Sequence, residues 1–328
     1  MSKDAWYPIL DYPEYVIEAA RSLGWEKFSM VGHSMGGAVA SLVAASFPEM
    51  VERCVFLDIL GPFASRTGTS PKLLRASVAS RRALVDKEPK VYKSFDEAVR
   101  TRLKAVTMWG EGQTMSWNGA VRLVAGATKS GEEGDQVRFT NDVRLRNSSP
   151  SYLTEESVLM YLKAIESECL MIRGETGMLA NADGVAEFVA RKEACGERLR
   201  DLVLPGSHHL HLDDETAPLV ASHTAAFLHG REGSLEVPAL ILDYEKEIAR
   251  VAMLAGGRGA VFVFAGLEKV VSTTYDGPRP SETKHRSFVP LVVATRCQLL
   301  RFIRSRCFPP PPHTLPWQGQ ACIELMYS

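Results

Sequence analysis

Cysteine is sparse and unpatterned in this chain: Cys54, Cys169, Cys195, Cys297, Cys307 and Cys322 form no C-x-x-C pair. That argues against a zinc site or a disulfide framework, and the thiols are expected to be free. Net charge is nearly absent as well, 38 Lys and Arg standing against 39 Asp and Glu for a formal value of -1. Nucleic-acid footprints are basic overall or clustered on one face, so no nucleic-acid partner is expected. Long apolar runs are missing too. The longest, around 260–266, falls far short of the roughly 20 residues that a membrane-crossing helix needs. No charged-then-apolar leader with a small-residue cleavage site opens the sequence, and a cytoplasmic location is expected.

The 328 residues are 45% hydrophobic, enough to bury a sizeable core in one large or two modest domains. A helix is expected over 13–23: Pro13 suits the first helical position, Tyr15, Ala19 and Leu23 recur at i, i+4 and i+8, and Gly24 stops it. The run Phe28-Ser29-Met30-Val31 reads as a strand, and an Ala- and Val-rich helix follows until Pro48. Residues 53–58, ending in Asp58, read as the next parallel strand. Strands at 168–173 and 199–204, with helices near 182–194 and 215–229, resume the pattern. Such alternation implies an α/β fold, a parallel sheet with helices on both faces and a ligand site at the carboxyl ends of the strands. Between its two parts, 64–166 reads as an inserted, mostly helical cap with no strand-like runs. Eleven Lys and Arg stand there against four acids over 64–110, which is read as a solvated face.

The chemistry is concentrated at Gly32-His33-Ser34-Met35-Gly36-Gly37. A serine at the apex of a strand-to-helix turn is held in strained backbone geometry, so its neighbours two residues away, Gly32 and Gly36, must be nearly free of side chain. The turn presents Ser34 Oγ above the sheet, and the helix N-terminus aims the Met35 amide at a developing oxyanion. A serine hydroxyl needs a base, and the base an orienting acid. The late loop Gly206-Ser207-His208-His209-Leu210-His211 offers the base. His208 is preferred, as the first imidazole after two small residues; His209 is the reserve, and His211 is expected at the start of the next helix. No Cys or carboxylate cluster with ligand spacing accompanies these histidines, so no metal is expected. For the acid, Asp58 is favoured over Glu175 and Asp183, which follow the later strand.

The run from Tyr15 through the elbow to Phe47-Pro48-Glu49-Met50-Val51 and Leu57-Asp58, together with the histidine loop, resembles the α/β-hydrolase superfamily, and within it the serine hydrolase-like proteins. Arg138-Phe139-Thr140-Asn141-Asp142, Tyr152-Leu153-Thr154-Glu155-Glu156 and Leu170-Met171-Ile172-Arg173-Gly174 are similar to that family too. The resemblance covers about residues 10–230. It implies a fold with about four strands before the elbow strand and a His-Gly loop that supplies a second oxyanion amide. Here fewer than thirty residues precede the elbow strand. Half the sheet is therefore expected to be missing, leaving the elbow strand with an edge open to pairing or aggregation.

The expected organisation is a first core part at 1–63, a cap at 64–166, a second core part with the histidine loop at 167–230, and at 231–328 an atypical or poorly ordered extension outside the resemblance. The expected function is hydrolysis of a small ester or related acyl compound through an acyl-enzyme, with no cofactor. The alternative is a truncated, impaired hydrolase-like protein that acts by binding. Oligomeric state is left open.

Overall fold

The computed structural model describes residues 6–65, 69–108, 110–131, 133–180 and 182–230, with backbone alone at 182–184, and beyond them the strands at 259–264 and 291–293. The elements follow the sequence closely up to the cap. After α1 (Tyr12–Ser22), with Pro13 in its first turn, comes β1 (Phe28–His33), buried along its whole length. Next are α2 (Met35–Ser46) and β2 (Val51–Leu57). Helix α2 is buried over most of its surface because α1, β1, β2 and the later α6 (Glu155–Lys163) all pack on it, which is why Ala, Val and Gly fill it.

The insertion at 64–166, expected as a cap, contains α3 (Ser70–Leu84), α4 (Phe95–Thr107) and α5 (Trp117–Ala127). Ser94 and Ser116 cap α4 and α5, each accepting from the backbone N–H three residues on. Where a mostly helical insertion without strand-like runs was expected, the segment also holds a small antiparallel sheet of β3 (Val91–Tyr92), β4 (Thr128–Ser130) and β5 (Val137–Phe139), in the order β3-β5-β4. Strands of two or three residues are too short to show alternation in a sequence. Tyr92, Val99, Leu123, Val124 and Phe139 form the cap's own apolar cluster, and Leu212 of the histidine loop is part of it.

The core resumes with α6, β6 (Glu168–Thr176), α7 (Ala182–Cys195), β7 (Leu199–Ser207) and α8 (Ala217–Leu228). Val158 and Leu162 of α6 share the main apolar cluster with Phe28, Phe56 and Met171. Arg191 of α7, almost fully buried, binds both Glu155 carboxylate oxygens, at 2.8 and 2.6 Å, and donates to the Leu60 carbonyl at 2.8 Å. It thereby ties α6, α7 and the turn after β2 together through satisfied charges.

All strands of the main sheet are parallel, in the order β7-β6-β2-β1-β8-β9. The last two are β8 (Gly259–Phe264) and β9 (Leu291–Val293). β8 pairs with β1 over six consecutive residues, Phe28 opposite Gly259 and His33 opposite Phe264. The elbow strand therefore has no open edge: a segment far downstream occupies the place where upstream strands were expected. Apart from these two strands, the extension expected at 231–328 lies outside the described residues.

Candidate active site

The site is built at the carboxyl ends of β1, β2, β6 and β7, from one residue or loop apiece. At the end of β1, Ser34 has φ 50° and ψ -125°, a left-handed conformation that a non-glycine residue adopts only where its surroundings impose it. Two glycines permit the turn. A Cβ on Gly32 would meet the Gly36 carbonyl oxygen and the Gly37 nitrogen at 2.5 Å, and one on Gly37 would collide with the Ile59 side chain. Gly37, which sequence reasoning passed over, is thus as constrained as Gly32. The Ser34 carbonyl accepts from the Gly37 and Ala38 amides as α2 begins. Met35 opens that helix, whose first backbone N–H groups have no intrahelical acceptor.

Ser34 N donates to the Leu57 carbonyl at 3.2 Å, which fixes the elbow beside the end of β2. The next residue is Asp58, fully buried, with φ 52°. Its own N–H donates to the Ile172 carbonyl of β6 at 2.8 Å. Its Oδ1 accepts from Gly174 N at 3.1 Å, and its Oδ2 accepts from Met178 N at 2.8 Å and from His208 Nδ1 at 2.7 Å. Because a carboxylate can only accept, Nδ1 carries the imidazole proton and Nε2 is left as the basic nitrogen. A Cβ at Gly177 would overlap the Asp58 carboxylate, so this glycine makes the room in which the acid sits. Of the other acids considered, Glu175 lies exposed on β6, and Asp183 lies at the start of α7.

The histidine loop is held by the cap. His208 N donates to Gln113 Oε1 at 3.2 Å, Ser207 Oγ donates to the Thr114 carbonyl at 2.7 Å, and Asp213 Oδ1 accepts from Ser116 N at 2.5 Å. Gln113 Nε2 also donates to the Thr176 carbonyl of β6. No spacing rule would have singled out Gln113, whose role depends on a contact across nearly a hundred residues.

Three further imidazoles surround His208. The His33, His209 and His211 rings lie within 4.0 to 6.3 Å of one another, centroid to centroid, and His33 Nε2 is 2.8 Å from the His208 carbonyl oxygen. His211 sits in the buried loop against His33, six residues short of α8, and not at a helix start as expected. Burial, reinforced by the neighbouring imidazoles, pushes His33 and His209 well below the usual histidine range and His211 down to about 3. All three are therefore neutral near pH 7. Among the described residues no cluster of His, Cys, Asp and Glu has the arrangement to hold a metal ion.

The family model described as the alpha/beta hydrolase fold matches residues 3–215. The chain belongs to the α/β-hydrolase family. Among curated proteins it is similar to a serine hydrolase-like protein of Dictyostelium discoideum, 31% identical over 212 residues that cover 63% of this chain and 57% of the relative. A serine hydrolase-like protein of Danio rerio is 27% identical over 221 residues, covering 63% of each. The chain thus spans about three fifths of these relatives' length. Among solved structures, a hypothetical protein of Pseudomonas aeruginosa is 34% identical with a TM-score of 0.60, covering 69% of this chain and 76% of the other. A thioesterase domain from the curacin biosynthetic pathway shares the fold at 18% identity and a TM-score of 0.51, over 66% and 72% of the two chains. Within this α/β-hydrolase, no helix among the described residues is long and apolar enough to cross a membrane.

Proposed function

We propose that the protein is a serine hydrolase that cleaves a small carboxylic ester or related acyl compound through an acyl-enzyme. The observation that carries this reading is the Asp58–His208 hydrogen bond of 2.7 Å, buried at the strand ends next to a serine in left-handed backbone geometry. In this reading Ser34 Oγ attacks the substrate carbonyl carbon as its proton passes to His208 Nε2. Asp58 holds the ring by Nδ1–H and stabilises the imidazolium. The Met35 N–H donates to the oxyanion. Collapse of the tetrahedral species breaks the ester C–O bond, and His208 returns its proton to the departing alkoxide. Water activated by His208 then releases the acid and frees Ser34.

Asp58, the His208 imidazole and a helix N-terminus carry these steps without a dissociable cofactor in this reading. The Met35 amide is the oxyanion donor this reading names, and removal of such a donor costs on the order of a hundred- to a thousandfold in turnover. The test is labelling of the folded protein by a fluorophosphonate probe, with Ser34→Ala as the control. Stoichiometric labelling of Ser34, abolished in the variant, is expected. Failure of the folded protein to label would reject the enzyme and favour the binding protein considered from the sequence.

A further inference from the structure

We propose that the cavity beside Ser34 is an acyl-chain pocket, and that the substrate is an ester of an unbranched apolar carboxylic acid of medium length; this rests on the serine-hydrolase reading above. The cavity has a volume of about 320 Å³ and runs from Ser34 to the cap. Its wall is mostly apolar, with Met35, Ala38, Ile59, Phe63, Leu73 and Leu145 among the lining side chains. Phe63 and Tyr152 also line it, although each is about two fifths exposed. Large aromatic groups left half in water at the rim of an apolar cleft mark a surface that a ligand covers.

The wall's composition also decides which half of the ester occupies it. It takes in Ser34 and Met35, the proposed nucleophile and oxyanion donor, but neither His208 nor Asp58. The leaving oxygen must lie against His208 Nε2 to receive its proton, so the alcohol half belongs on the histidine side of the serine. The half that points away from His208, into the cavity, is the acyl chain. Polar groups on the wall are concentrated in the consecutive residues 146–149, while the Tyr7 hydroxyl is engaged with Asp142 at 2.8 Å. The apolar part of the wall favours an apolar acid over a polar one.

The experiment is hydrolysis of p-nitrophenyl esters from acetate to palmitate by the full chain, with a parallel series of acetate esters of lengthening alcohols. A rise in kcat/KM of about fourfold per methylene is expected over roughly the first eight carbons of the acyl chain, followed by a fall, as burial of each methylene in an apolar pocket predicts. The alcohol series is expected to be flat. Ala76→Trp, at an exposed position of α3 on the cavity wall, is expected to lower the octanoate-to-acetate ratio at least tenfold. Leu73→Ala, which enlarges the same wall, shifts the optimum to longer acids. A flat acyl series, or a length dependence confined to the alcohol, overturns the inference even when Ser34 labels with fluorophosphonate. Absence of both labelling and turnover overturns the underlying reading as well.

Discussion

At the scale of single residues, the site depends on groups that touch no substrate. Gly177 leaves space for the Asp58 carboxylate, and the Gly174 and Met178 amides keep that carboxylate aimed at His208. Asp58→Asn is therefore expected to reduce ester turnover on the order of a thousand- to ten-thousandfold, by losing the acceptor that fixes the imidazole tautomer. Glu175→Gln, at an exposed position, is expected to change turnover little, and Gly177→Ala to approach the Asp58 variant. Steady-state kinetics on folded variants checks the ranking; equal effects of Asp58→Asn and Glu175→Gln would exclude Asp58 as the acid. The proposed residues Ser34, His208 and Asp58 were candidates in the sequence because each stands next to a local signal: a Gly-x-Ser-x-Gly turn, a small-residue loop, a strand end. Gln113, Gly177 and His33's contact with the His208 carbonyl were not legible, because each acquires its role only through a distant segment.

At the scale of elements, the β-α-β alternation was readable because each strand contains a short, mostly apolar run such as Cys54–Leu57 or Cys169–Ile172. The partner of β1 was not. Gly259–Phe264 looks like any apolar strand, and nothing local says that it joins the elbow strand in parallel, with Val261 opposite Met30. Since β8 lies between β1 and β9, a proline there removes a ladder hydrogen bond from an internal strand. Val261→Pro is expected to free the β1 edge and shift the protein toward dimers and larger species, a tendency that edge strands carry generally. Size-exclusion chromatography with light scattering reads the outcome. A variant with an unchanged elution profile would show that the pairing contributes little to keeping the elbow strand covered.

At the scale of the whole molecule, cap and core meet at the histidine loop. Leu212 is packed in the cap's apolar cluster, and residues 113–116 hold the loop by three hydrogen bonds. The same region contributes to the response to acid. His33, His209 and His211 have folded-state pKa values below the unfolded value of about 6.5, so the unfolded chain binds more protons as the pH falls. Their neutral forms support the fold fully above that value, and each withdraws about 1.4 kcal/mol per pH unit below it until its own folded pKa is reached. Arg102 adds to the penalty at His209, and Asp58, bonded to His208, is the carboxylate at the cluster. His33 and His209 begin to withdraw stability below about pH 6.5, and His211 continues to do so down to about pH 3. The urea midpoint is expected to fall steeply between pH 7 and pH 5, and a flat profile over that interval would contradict neutral burial of the cluster.

The pairing of Phe28 with Gly259 also sets a clock on synthesis. The two partners are more than two hundred residues apart, so at about 5–20 residues per second the ribosome delivers β8 on the order of ten to fifty seconds after β1. Closing so long a chain segment is slow as well as late. The nascent protein therefore carries the elbow strand half-paired until β8 emerges. Yield in a cell depends on what shields that edge during the wait, in addition to the stability of the finished fold.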